Sequence, residues 1–258
     1  MKHELIQILI AIITLLPATV AAENNTGHAL DGSPIEIRVR AGYNIGGTAP
    51  IGMPETIRSI DAFRLTPSVM VGFDVAMHLQ GKWGVATGLR FENKAMDADV
   101  TTKAYNMEVK KNNDQISGLF TGHVSQQVTQ WMFTLPIEAT FLLSRKLQLK
   151  AGPYFSLLVS KDFSGIASDG YLRQGDPTGP KIIMGDKEGE WATYDFTDDM
   201  RPLQMGIAAG IDWQLYRGLG ISADLNWGLT GIFKSDFKTV EQTLYPIYGT
   251  ISLFYRLK

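Results

Sequence analysis

From Ile35 onward, apolar and polar positions alternate with a period of two rather than 3.6. In residues 147–159 the odd positions Leu147, Leu149, Ala151, Pro153, Phe155, Leu157 and Val159 are apolar. The intervening Gln148, Lys150, Gly152, Tyr154 and Ser156 are polar or small. Residues 219–233 repeat the pattern, with Leu219, Ile221, Ala223, Leu225, Trp227 and Leu229 opposing Gly220, Ser222, Asp224, Asn226, Gly228 and Thr230. The alternation predicts eight strands, over 35–43, 63–79, 83–91, 129–143, 147–159, 203–215, 219–233 and 243–257. In every span the odd positions form the apolar face, and none of them is Asp, Glu, Lys or Arg.

The opposite face collects the charges. Arg38, Arg40, Arg64, Arg90, Lys150 and Arg256 are positive, and Glu36, Asp74, Glu138, Asp212 and Asp224 are negative. A soluble barrel or sandwich, of lipocalin type for example, would turn the apolar face inward. A membrane barrel would turn it to lipid and place the charges in the lumen. The polar face is rich in Gly, Ser, Thr, Ala and Gln, which suits a narrow interior. Only closure removes the strand edges that lipid forbids. Connections also alternate: 80–82, 144–146 and 216–218 are short, whereas 44–62, 92–128, 160–202 and 234–242 are long. Short periplasmic turns and long outer loops characterise outer-membrane barrels. Tyr43, Phe91, Trp131, Phe233 and Tyr245 would then form one aromatic girdle, and Trp83, Phe141, Trp213 and Tyr255 the other. The expected fold class is all-β: an eight-stranded antiparallel up-and-down transmembrane β-barrel with long outer loops and short periplasmic turns.

The N-terminus reads as an address. Lys2 and His3 precede an apolar run to Leu16, Pro17 ends it, and Val20-Ala21-Ala22 supplies small residues before Glu23. This is the layout of a cleaved signal peptide over 1–22. Residues 23–34 read as a flexible periplasmic lead-in, and 35–258 as the barrel domain, located in the bacterial outer membrane. The chain has 258 residues, no cysteine, 19% charged residues and a formal net charge of -2. Absence of cysteine excludes thiol catalysis, a disulfide framework and cysteine metal sites. The charge gives no basic face for nucleic acid. A soluble domain carries about 25% charge. The low charge content is what remains when half of each strand faces lipid.

Thr134-Leu135-Pro136-Ile137-Glu138, a tight turn, and then Leu149-Lys150-Ala151-Gly152-Pro153-Tyr154 resemble the barrel domain of PorT-like outer-membrane proteins of Bacteroidetes. The glycine-rich Gly206-Ile207-Ala208-Ala209-Gly210-Ile211 extends the likeness, whereas the C-terminal Tyr255-Arg256-Leu257-Lys258 departs from the family's usual aromatic end. The resemblance implies an eight-stranded barrel inserted by the barrel-assembly machinery. It implies no catalytic residues.

The residues themselves offer little chemistry. An eight-stranded barrel has an interior that side chains fill, and a lone charge there is costly. Glu36, Arg38, Arg40, Asp74, Arg90, Glu138, Lys150, Asp212, Asp224 and Arg256 are therefore expected to form a lumen charge network that plugs the barrel. A narrow channel, or a transport or secretion accessory, is the alternative. His123-x-Ser125 opens a further alternative, a lipid-modifying hydrolase in which His activates Ser, but Glu138 has the wrong parity to complete it. His78 has inward parity near the periplasmic end. The acidic Asp186, Glu188, Glu190, Asp195, Asp198 and Asp199 lack calcium-loop spacing. No cofactor, metal or catalytic site is expected. The expected partners are outer-membrane lipid and a protein or glycan meeting the loops 92–128 and 160–202.

Overall fold

A computed structural model describes residues 35–111, 114–240 and 242–257. The expected signal peptide and lead-in, residues 1–34, lie outside the described residues. The strands are β1 (Ile35–Pro50), β2 (Ile57–Leu65), β3 (Val69–His78), β4 (Trp83–Lys111), β5 (Asp114–Leu142), β6 (Leu147–Gln174), β7 (Lys181–Met184), β8 (Ala192–Asp195), β9 (Leu203–Tyr216), β10 (Leu219–Gly228) and β11 (Leu244–Arg256). Eight of them close a ring by antiparallel pairing, in the order β1-β3-β4-β5-β6-β9-β10-β11 and back to β1. Closure gives every ring strand a partner on both sides, the condition for crossing a bilayer with strands, although β1 beyond Tyr43 keeps only β11.

The parity of the side chains matches the expectation. Val39, Val71, Phe73, Val85, Ile137, Leu149, Ile207, Leu225 and Ile251 point outward and are exposed, while Arg38, Arg40, Asp74, Arg90, Lys150 and Asp224 point inward and are buried. An inverted apolar face of this extent belongs in lipid and overturns the soluble, lipocalin-type alternative. The short turns are tight. Arg217 and Gly218 have φ of 41° and 90°, so the β9–β10 hairpin turns with two left-handed residues, whose twist suits adjacent strands. Beside the turns, Trp83 packs edge-on against Phe141 at 4.9 Å between centroids. At the other rim Phe91 stacks on Trp131 at 5.2 Å. Phe233, expected in that girdle, instead packs on Phe163 at 4.8 Å inside the outer end of the barrel.

Two strand assignments need correction. The single strand expected over 63–79 is two strands, β2 and β3, because Pro67 has no N–H to donate to a ladder. The Asn93 side chain bridges the break: its Nδ2 donates to the Pro67 carbonyl at 3.0 Å and its Oδ1 accepts from the Val69 N–H at 2.6 Å. Three of the four expected long loops, 44–62, 92–128 and 160–202, are also largely strand, whereas the described residues of 234–242 hold none. β4 and β5, each 29 residues long, continue as a hairpin through 92–128, and β6 runs to Gln174 with β7 and β8 paired to it. Bulges between Thr102 and Tyr105, Thr121 and His123, and Trp131 and Met132 shift the register there. A bulge changes which parity faces inward. Thus Met96 and Ala98 are buried on β4 before the shift, and Met107 and Val109 after it. That break in period made the segment read as loop.

Ile251 lies on β11 midway between Tyr245 and Tyr255 and is 61% exposed. Ile251→Arg is expected to cost about 2–4 kcal/mol, as for a cation on the lipid face near mid-bilayer. The measurement is the urea midpoint of the heat-modifiable gel band. A change below the cost of an exposed-loop substitution would contradict the placement.

Candidate functional site

The inward positions stack in layers along the barrel axis. At the periplasmic mouth, Glu36 accepts from Arg38 Nε at 2.5 Å and Arg256 Nε at 2.6 Å, and His78 Nε2 lies 3.5 Å from its second oxygen. Arg38 reaches deeper, to Asp212 at 2.8 Å and Gln148 at 2.9 Å. The next layer is denser. Arg40 is ion-paired with Asp74 and lies 3.4 Å from Asp224. Lys150 Nζ is 2.7 Å from Asp224 and 3.1 Å from Asp212, which also accepts a hydrogen bond from the Ser222 hydroxyl. Arg90 bridges Asp74 at 3.6 Å and Glu138 at 3.5 Å. All ten expected network residues therefore face the interior and meet at least one oppositely charged member.

Strand geometry assembles this set. Each charge sits on the even parity of its ring strand, and antiparallel register brings Arg38 beside both Asp74 and Arg256. Gly88 and Gly210 stand beside Asp74 and Asp224, where a Cβ would collide with the carboxylates. Small residues opposite large charged ones let a narrow interior hold them.

Two members escaped the sequence reading. Glu92 and Lys94 continue the even parity of β4 beyond Arg90 and are 3% and 2% exposed. Lys94 Nζ is 3.1 Å from Glu92 and lies over the rings of Tyr154 and Tyr248. Glu92 also accepts from Thr134 at 2.6 Å and Asn44 at 3.1 Å. The signal was present, since the period continues through them, but the charge density of 94–114 read as loop. Arg64 goes the other way. It was assigned to the inward face, yet it lies on β2 outside the ring, exposed and paired with Asp99 at 2.5 Å. With these changes six cations, Arg38, Arg40, Arg90, Lys94, Lys150 and Arg256, meet six carboxylates, Glu36, Asp74, Glu92, Glu138, Asp212 and Asp224. A formally neutral interior is what a low-dielectric site favours.

Outward of Lys94 the interior becomes apolar. Met96, Val124, Val128, Met132, Phe163, Ala167, Tyr194, Phe196, Met200 and Ile232 form one buried cluster from four strands and the 200s and 230s segments. β8 spans it by pairing with β6 and touching β4 at Lys110.

His123 does not join Ser125 or Glu138. Its Nδ1 lies 3.3 Å from Asp61 and 3.2 Å from Thr101, on the outer wall. Hydrogen bonds from Ser59 and Thr101, then the neighbouring His123, hold the Asp61 carboxyl below its usual range. Ser125 is bonded to Asp99, and Glu138 is buried with Arg90.

A closed eight-stranded barrel with an apolar exterior and a charge-paired interior is an integral membrane protein of the outer-membrane type. The chain belongs to the family of the outer membrane protein beta-barrel domain, which matches residues 21–234. Its location is the bacterial outer membrane. Among solved structures it is similar to Ail, the attachment invasion locus protein of Yersinia pestis, in complex with the heparin analogue sucrose octasulfate. That match has 9% identity and a TM-score of 0.39, covering 87% of this chain and 100% of that one. It is similar also to Neisserial surface protein A, with 8% identity and a TM-score of 0.33 over 86% of this chain and 97% of that one. The translocator domain of the autotransporter NalP from Neisseria meningitidis has 13% identity and a TM-score of 0.26, covering 99% and 96%. No curated protein sequence matches.

Proposed function

We propose that the protein is a non-conducting barrel that anchors a rigid extracellular β-extension in the outer membrane. The outward surface of that extension, from 92–128 and 160–202, would meet a protein or glycan partner. The observation that carries this reading is the set of five buried cations, with Arg256 at the mouth as a sixth, paired with six buried carboxylates and topped by the apolar cluster. An ion crossing this interior must break buried pairs, and leaving one partner uncompensated costs about 3–5 kcal/mol. The apolar cluster beyond them offers a hydrated ion no replacement for its water. The extension supports the interaction role because its strands are held by their own core, and rigid scaffolds position binding surfaces.

The finer readings belong to the same proposal. They are a PorT-like position within the family, a signal peptide over 1–22 and a barrel domain from residue 35. No catalytic role is proposed: His123 is engaged with Asp61 and Thr101 on the outer wall, away from Ser125's bond to Asp99.

The test is planar-bilayer recording of the full chain. The expected result is no stable conductance step at voltages that leave the bilayer intact. Large, stable conductance would overturn the plug and favour the channel or transport alternative.

A further inference from the structure

The barrel wall changes above the Tyr43–Val69 pair. β3 ends there, while β1 runs on to Pro50 with only β11 beside it. The next backbone bond, Asn44 N–H to the Ser68 carbonyl at 2.7 Å, closes the lower part of the gap. Beyond it, the Thr48 N–H donates to the Met96 sulfur at 3.0 Å instead of to a strand. β2 covers β4 between Met96 and Thr102, yet no ladder joins β2 to β1 among the described residues. The wall therefore has a seam between β1 and β2, lined by side chains rather than by backbone bonds.

Behind the seam lies a cavity of about 390 Å³, within the range of roughly 300–1,000 Å³ usual for ligand sites. Met96, Ala98 and Phe163 form part of its deep wall, and Gly47, Ile60 and Phe63 flank the mouth. Gly47 sets the width of that mouth. A Cβ there would stand 2.9 Å from the Met96 sulfur and 3.0 Å from the Phe63 ring.

We propose that this cavity is a lateral site for one acyl chain of an outer-leaflet lipid, entered from the membrane through the β1–β2 seam. Three observations select that occupant. The seam starts beside Tyr43, at the level of the Phe91–Trp131 aromatic belt, where acyl chains meet headgroups. Its rim is apolar and outward-facing, with Ile45, Ile60, Phe63 and Leu65 between 40% and 54% exposed. Exposed Arg58 on the same strand, β2, suits an anionic headgroup, whereas Arg64 is taken up by Asp99. The lining on β4 begins at Met96 and leaves out the buried Glu92–Lys94 pair inward of it, so the cavity does not traverse the barrel. This site is additional to the interaction surface, and it holds whether or not a partner binds the extension.

The experiment places the full chain in vesicles of phosphatidylglycerol that carries a mid-chain diazirine on one acyl chain. After irradiation, adducts are mapped by mass spectrometry. Adducts are expected on Met96 and Phe163 as well as on the outward-facing Ile251. Ala98→Trp fills the cavity and is expected to lower the Met96 and Phe163 adducts about tenfold relative to Ile251. Ile60→Asp, on an exposed strand that leaves the core intact, is expected to do the same at the mouth. Both variants are checked for folding by heat-modifiable mobility. Adducts confined to the outward belt in the unmodified protein would overturn the site. Labelling of the cavity by diazirine palmitate added from the aqueous side, with none from the vesicle lipid, would overturn the membrane source.

Discussion

Asp212→Leu is expected to destabilise the folded barrel by about 3–5 kcal/mol, the cost of leaving a buried charge without its partner. Asp212 lies 2.8 Å from Arg38 and 3.1 Å from Lys150, and it accepts a hydrogen bond from Ser222. Its removal leaves six interior cations against five carboxylates, with Lys150 only 2% exposed. Water cannot replace the lost partner without opening the interior. The measurement is the urea midpoint of the heat-modifiable band in detergent micelles. Adding Lys150→Met to Asp212→Leu should recover much of the loss, because the interior is neutral again and a well-packed apolar replacement of a buried pair is often near neutral. Arg64→Ala is the control. That pair is exposed on its Arg side, and exposed ion pairs contribute only about 0–1 kcal/mol. A loss for Asp212→Leu no greater than for Arg64→Ala would show that the interior charges are solvated.

Phe163→Ala is expected to cost the extracellular extension about 3–5 kcal/mol, as for other buried Phe truncations. Phe163 is 2% exposed and holds an aromatic set together, with ring centroids 4.8 Å from Phe233, 6.1 Å from Phe196 and 6.5 Å from Tyr194. These rings come from β6, β8, the segment after β8 and the 230s segment, so one side chain ties four pieces of chain. The loss should stay local. Hydrogen exchange and limited proteolysis should increase over 160–202, while the ring strands β9, β10 and β11 keep their protection. Uniform loss of protection across all eight ring strands would contradict an extension with its own core. Deleting 92–128 outright is the wrong probe of a surface role, because Met107, Val109, Phe120 and Val124 in that stretch belong to the buried cluster.

Much of the barrel was legible in the order of residues. The odd-position apolar face and the even-position charges are local, since strand side chains alternate regardless of what the strand meets. Arg38, Arg40, Asp74, Arg90, Lys150, Asp212 and Asp224 could thus be placed inside before any pairing was known. The absence of charge on the odd face also identified lipid as the solvent, because a soluble surface has no reason to exclude charge so completely. The tight turns, including Arg217-Gly218, were equally local.

Tertiary structure decided the rest. Bulges reset the inward parity of β4 beyond Thr102 and of β6 beyond Leu158, so the apolar residues of the outer extension lost their simple period and resembled a charged loop. Only the packing of β6, β8 and the 230s segment over them shows that Met107, Phe120 and Phe163 are core. Pro67 moved Arg64 out of the ring by breaking a strand whose period looked continuous. The same break left β1 and β2 unpaired and opened the seam. Charge balance was likewise a property of the closed ring: Glu92 and Lys94 complete it from a stretch that reads as solvated when taken alone. Periodicity is set by each residue's own backbone, so it can be read along the chain. Register shifts, ring closure and which charges share a cross-section depend on strands far apart in sequence, so they emerge only when those strands meet.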